Sequence, residues 1–117
     1  MGNQTNDPTA ISTTVIYPNS SEAKLDINYY MKTHLPKAEL IWGKLGMISW
    51  KVTSFTPDLI GNPPNYLLET VVEWVNVEAA RKALQTDEGA EVMKDMENFT
   101  NISPIVLFGK PTGAWSA

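Results

Sequence analysis

"YLLETVVEWVNVEAARKALQ", residues 66 to 85, changes its period once, and that change decides the fold. Its first ten residues, Tyr66 to Val75, are mostly apolar and β-branched, which favours an extended strand. From Val77 onward, Val77, Ala80 and Leu84 recur in steps of three and four, the spacing of a helix that buries one face. Asn76 stands between the two and is suited to cap that helix. The strand is apolar at both parities. Tyr66, Leu68 and Val72 lie on one side; Leu67, Val71 and Val75 lie on the other. A sheet built on it needs cover on both faces.

Working outward, "MISWKVTSF" (Met47 to Phe55) reads as a second strand, joined to the first by "TPDLIGNPPN", a loop marked by Pro57, Gly61, Asn62, Pro63 and Pro64. "AISTTVIYP" (Ala10 to Pro18) is a β-branched strand ended by proline. After the loop "NSSEAK", Asp26 caps a helix whose apolar residues run Ile27, Tyr30, Met31, His34 or Leu35, Ala38, Ile41, Trp42 and Leu45. Pro36 interrupts it. Proline lacks an N–H, its ring meets the carbonyl four residues earlier, and it disfavours helical angles at Leu35. A break or kink near His34 follows, with a second segment ending at Gly43 or Gly46. "TDEGAEVMKDMENF" adds a short helix with Val92, Met93 and Met96 inward. "SPIVLFGKP" (Ser103 to Pro111) closes the chain as a strand.

The order is strand, helix, strand, strand, helix, strand. That is the α+β, ferredoxin-like βαββαβ arrangement, with one antiparallel sheet and helices on one face. The doubly apolar strand implies that two copies cover each other's sheets as a homodimer. Residues 1–9 read as a flexible arm, residues 10–110 as one domain and residues 111–117 as a tail. Trp115 in that tail is either a clamp on the partner or part of a loose end.

Composition removes several function classes. Net charge is −4 and the nine Lys and Arg are scattered, so a basic footprint for nucleic acid is missing. The absence of cysteine removes disulfides, thiol catalysis and iron–sulfur ligation. One histidine cannot build a zinc site alone. No apolar run approaches the roughly 20 residues of a membrane span, and no secretory h-region opens the chain, so a cytoplasmic location is expected. The "NSS" and "NFT" sequons at Asn19 and Asn98 then go unused. No glycine-rich phosphate loop is present. Asp87, Glu88, Glu91, Asp95 and Glu97 match no calcium loop and read as a solvated helix face.

The single histidine lies on the apolar face of "DINYYMKTHLP" (Asp26 to Pro36). It is either a packed residue at a helix end, where it suits the helix dipole, or a group that moves protons in a pocket. Sharing a face with Ile27 and Tyr30 turns it toward the sheet. Its polar partner is open: Tyr30, Tyr17 or Thr70 by direction, Asp26 or Tyr29 by nearness, or a carboxylate at Glu69 or Glu73. Large apolar residues, among them Trp42, Trp50, Trp74, Phe55, Phe108, Met93 and Met96, are available for core, interface and pocket wall.

Taken together, "YYMKTHLP", "WGKLGMISWKV", "EWVNVEAARKAL", "EGAEVMKDMENFTN" and "PIVLFGKP" resemble the EthD family, named for a protein linked to ethyl tert-butyl ether degradation. The resemblance runs from about Ile16 to Lys110. Lys37 stands where the family usually has leucine. The resemblance implies a dimeric α/β barrel and places a family histidine at His34. Relatives of the fold include cofactor-free monooxygenases, cyclases, dehydratases and haem-binding enzymes, so fold alone does not choose among them. EthD-like members of fungal secondary-metabolite pathways are linked to dehydration or decarboxylation of aromatic polyketides. The expectation is therefore a dehydratase, cyclase or decarboxylating lyase that needs no cofactor and no metal. His34 acts as acid and base with Tyr30, and Tyr17, Tyr29, Trp42, Trp50, Thr70 and Phe108 form the pocket for a hydrophobic substrate. A monooxygenase or haem protein, and a non-catalytic carrier of a hydrophobic metabolite, are the alternatives.

Overall fold

The computed structural model describes residues 9–117. The expected N-terminal arm, residues 1–9, lies outside them except for Thr9, whose hydroxyl donates to the Val75 carbonyl at 2.9 Å. The elements are β1 (Ile11–Pro18), α1 (Ile27–Tyr29), a π-helical turn (Tyr30–His34), α2 (Leu35–Trp42), a 3₁₀ turn (Gly43–Leu45), β2 (Met47–Ser54), β3 (Tyr66–Trp74), α3 (Val77–Gln85), α4 (Asp87–Lys94), a second 3₁₀ turn (Asp95–Asn98) and β4 (Ile105–Gly109). The strands form one antiparallel sheet in the order β2-β3-β1-β4. This is the ferredoxin-like α+β fold. None of the helices is long and apolar enough to cross a membrane, among the described residues.

Strand alternation sorts the side chains onto two faces. Thr13, Val15 and Tyr17 of β1 and Leu68, Thr70, Val72 and Trp74 of β3 are buried. They face the helices. The opposite face is mixed: Ile16, Leu67, Val71, Ile105 and Leu107 alternate with Ser12, Lys51, Glu69 and Glu73. β4 is shorter than its sequence suggests. Pro104 and Pro111 flank it, and neither can donate to a ladder.

The helix does not break at Pro36. Leu35 keeps helical angles, φ −66° and ψ −40°. The chain widens instead. Leu35 N–H reaches back five residues to the Tyr30 carbonyl, so the turn before the proline is one residue larger than an α-turn. That larger turn takes up the strain of a ring that cannot donate and would otherwise crowd a carbonyl.

Two caps form as their sequences require. Asp26 accepts from Tyr29 N–H at 3.0 Å, and Asn76 accepts from Ala79 N–H at 2.9 Å. The buried face of α3 differs from expectation. Ala79, Ala80 and Ala83 are buried, whereas Val77 is half exposed and Leu84 only partly covered. Close approach explains this. Gly46 sits at φ 116°, and a Cβ there would come within 2.5 Å of the Ala79 Cβ, so only small residues fit at this crossing.

The buried residues fall into two clusters. One gathers Trp42, Val72, Trp74, Ala80 and Val92. The other gathers Val15, Tyr17, Tyr30, Leu35, Leu68 and Phe99. The candidate site lies between them.

Candidate active site

A cavity opens between the sheet and the α1–α2 helix. It is lined by Val15, Tyr17, Tyr30, His34, Leu35, Ala38, Trp42, Met47, Trp50, Thr70, Val72 and Met93. Its space is about 390 Å³ counted out to solvent at the mouth; the enclosed part has room for a water or two. Eight of the twelve walls are aliphatic, tryptophan or methionine side chains, and the other four are Tyr17, Tyr30, Thr70 and His34. A mostly apolar cleft with a few convergent polar groups is what a small-molecule site requires.

His34 is 6% exposed. Its ring stacks on Tyr30, with centroids 5.1 Å apart, and leans on Phe99 at 4.6 Å. Its Nδ1 lies 3.0 Å from Asp95 Oδ2. Asp95 is 4% exposed, so it is no part of a solvated acidic face. It follows α4 at the start of the second 3₁₀ turn, where Tyr29 hydroxyl and Asn98 Nδ2 both donate to its Oδ1, at 2.7 and 2.9 Å. Burial alone would push the Asp95 carboxyl up. The hydrogen bonds from Asn98, Tyr29 and His34 outweigh it and hold the carboxyl at about 2.

Burial dominates at His34 and lowers its pKa, against the pull of Asp95; Lys37 lowers it further. At neutral pH the pair is therefore an ionised Asp95 and a neutral His34. A carboxylate only accepts, so Nδ1 carries the proton and donates it to Asp95. That leaves Nε2 as the basic nitrogen, with no protein partner among the described residues.

The other polar wall is a chain of hydroxyls. Tyr30 and Thr70 oxygens lie 2.5 Å apart, and Tyr17 interacts with Tyr30. Burial raises both phenols, so both stay protonated. The Tyr30 and Thr70 O–H groups share one contact, so one of their two protons has no acceptor among the described residues. A buried, unpaired O–H is costly unless a ligand or water accepts it.

The sequence-predicted residues thus part company. Tyr30, His34, Tyr17, Trp42, Trp50 and Thr70 come together on the cavity. Tyr29 does not line it and instead binds Asp95 from behind. Phe108 is elsewhere, on β4 and 59% exposed. Of the candidate carboxylates, Asp26 caps its own helix and Glu69 and Glu73 stand on the opposite face of the sheet. The true partner of His34, Asp95, was hidden in the run of acids. Its signal was spacing: Val92, Asp95 and Phe99, in steps of three and four, are all buried. Among the described residues no group of three or more ligating side chains could hold a metal.

No protein-family model matches the chain, and comparison with curated proteins finds no significant similarity. Solved structures do match. An EthD-like protein from Ralstonia eutropha is 24% identical, with TM-score 0.78 over 87% of this chain and 91% of its own. An ethyl tert-butyl ether degradation (EthD) family protein from Bacillus halodurans is 21% identical, with TM-score 0.69 over 88% and 99%. More distant are the hydroxynitrile lyase of Passiflora edulis, 12% identical with TM-score 0.59 over 93% and 99%, and SnoaB, a cofactor-independent oxygenase from Streptomyces nogalater, 6% identical with TM-score 0.60 over 92% and 96%. The fold of this chain is that of the EthD-like proteins.

Proposed function

We propose that the cavity binds a flat hydrophobic carbonyl compound, such as an aromatic polyketide intermediate, and that His34 moves protons on it without a cofactor. The reaction is of lyase type: dehydration, ring closure or decarboxylation. The observation that carries this reading is the neutral His34, fixed by Asp95 at Nδ1 with Nε2 left basic, on the same cavity wall as a hydroxyl with a proton to give. A hydroxynitrile lyase and a cofactor-independent oxygenase share the fold, so a lyase is within its reach and oxygen chemistry is the competing class.

For a β-hydroxy ketone the step balances without a further reactant. The hydroxyl chain donates to the carbonyl oxygen and holds the enolate that forms. Nε2 takes the proton from the carbon between carbonyl and hydroxyl-bearing carbon. The imidazolium, stabilised by Asp95, returns that proton to the departing hydroxyl. Water leaves, a conjugated double bond remains and His34 is neutral again. Trp50, Met47 and Met93 supply the flat apolar surface for an aromatic body.

The same reading includes a cytoplasmic homodimer in which the outer sheet faces cover one another. Ile16, Leu67, Val71, Ile105 and Leu107 on that face support it.

The test is incubation with hydroxylated aryl ketones and hydroxyquinones in deuterated water, read by mass spectrometry and NMR. Expected are deuterium uptake beside the carbonyl and loss of water or carbon dioxide, both abolished in His34→Ala. Tight binding with unchanged ligand mass and no deuterium uptake would overturn the enzymatic reading and make the protein a carrier.

A further inference from the structure

The β2–β3 loop holds two aliphatic side chains in water. Leu59 is fully exposed and Ile60 is 84% exposed. The loop is nevertheless tightly built. Asp58 Oδ1 accepts from the N–H groups of Ile60 and Asn62, each at 2.9 Å, and its Oδ2 accepts from Asn62 Nδ2 at 2.9 Å. Asp58 N–H donates to the Asn62 carbonyl at 3.0 Å, and Gly61, at φ 89°, donates to the Asp58 carbonyl at 3.1 Å. Pro57, Pro63 and Pro64 stiffen the legs. The backbone is organised around an apolar tip that none of the described residues covers. Such preorganisation lowers the entropy lost on docking.

The sheet register shows where a matching surface lies. The loop leaves β2 at Ser54 and enters β3 at Tyr66, the same end of the sheet as Pro18 and Ile105. At that end, on the opposite edge, Ile16, Ile105 and Leu107 share the outer face; Ile105 is 40% and Leu107 51% exposed. A twofold axis between two facing sheets and parallel to their strands keeps strand ends together and exchanges edges. It sets the β2–β3 corner of one copy over the β1–β4 corner of the other. Each tip then meets the other copy's patch, the reciprocal contact a twofold interface needs. The flat shape agrees: the Cα atoms span 39 × 39 × 22 Å, a face broad enough for the roughly 800 Å² per partner of a standard interface. The loop holds no Lys or Arg, so an anionic membrane surface is a poor match.

We infer that Leu59 and Ile60 are the anchor of the homodimer, seated on the Ile16–Ile105–Leu107 patch of a second copy. This rests on the homodimer reading above and adds which residues hold it and in which orientation.

The chain has no cysteine, so single cysteines report cleanly. Ile60→Cys and Leu107→Cys proteins are prepared separately, mixed, allowed to exchange and mildly oxidised. The expected product is a disulfide-linked dimer in the mixture and none in either protein alone. Sedimentation of Leu59→Ser/Ile60→Ser should show a dimer about 10⁴-fold weaker than wild type or more, the scale of four lost aliphatic burials, two from each copy, with unchanged circular dichroism. A dimeric wild type with no mixed cross-link and an unaltered double variant would overturn the anchor and leave the homodimer standing. A monomeric wild type would overturn both. Flotation of wild type, but not of the double variant, on phosphatidylcholine vesicles would give the tip to lipid and also overturn the anchor.

Discussion

His34 and Asp95 are 61 residues apart in sequence, and their side chains meet at 3.0 Å with both buried. The contact fixes which imidazole nitrogen is basic. Asp95→Asn keeps the shape but removes the charge and lets the ring take the other tautomer. Turnover should fall about 100-fold or more, on the scale of general acid–base catalysis. The His34 pKa should fall below its wild-type value, because the interactions that raise it are lost. NMR of the single imidazole reads pKa and tautomer without assignment by mutants.

The pH dependence has a definite sign. The His34 pKa is lowered on folding, so the unfolded chain binds a proton first as pH falls below about 6.5. Stability contributed by neutral His34 is present above that pH and is lost as pH falls toward the folded value. Asp95, held at about 2 against an ordinary 3.8, adds stability above pH 3.8 that is lost as pH falls through 2. That contribution is about 2 kcal/mol. Urea titrations at stepped pH should show both losses for wild type, and His34→Gln should lack the first. Turnover should keep its plateau below pH 6.5.

Tyr30→Phe keeps the ring that stacks on His34 and deletes the hydroxyl that meets Thr70. Stability should fall by about 1 kcal/mol, the worth of one neutral hydrogen bond. Turnover should fall by about 10²-fold or more if that chain holds the enolate. A calorimetric scan beside a rate assay separates the two effects.

Gly89 lies where α4 meets the end of α3. A Cβ there would fall 2.0 Å from the Ala83 carbonyl oxygen, and the Gly89 carbonyl accepts the Trp42 indole N–H at 3.0 Å. Gly89→Ala should therefore destabilise by about 2 kcal/mol or more through overpacking. Indole fluorescence during denaturant unfolding should show a lower midpoint. Gly43→Ala, with open space around its Cβ, is the control.

The strands, both caps and the order of elements were legible because alternation and capping are local. The wide turn at Tyr30–His34 was not. Proline predicts strain, and the sequence does not say whether a helix relieves strain by breaking or by widening. Ala79 and Ala83 replaced Val77 and Leu84 at the α3 contacts because α3 passes close to Gly46 at Ala79 and close to Gly89 at Ala83, distances no periodicity encodes. Tyr30 and His34 reached the cavity as their shared face implied. Asp95 escaped notice because charge was read before position. Phe108 was placed by size, and a large side chain on an edge strand has no helix above it.

The wide turn also has an angular consequence. In a regular α-helix, residues five apart stand about 140° from one another around the axis, at 3.6 residues per turn. A turn closed by a bond to the fifth residue brings them to within about 50° of one another. Tyr29 and His34 are five apart, and both reach one carboxylate, through Oδ1 and Oδ2 of Asp95. An unwidened helix would offer Asp95 one of the two. By forbidding the regular turn, Pro36 places two neighbouring tyrosines on different duties, Tyr30 at the cavity wall and Tyr29 behind the histidine's carboxylate.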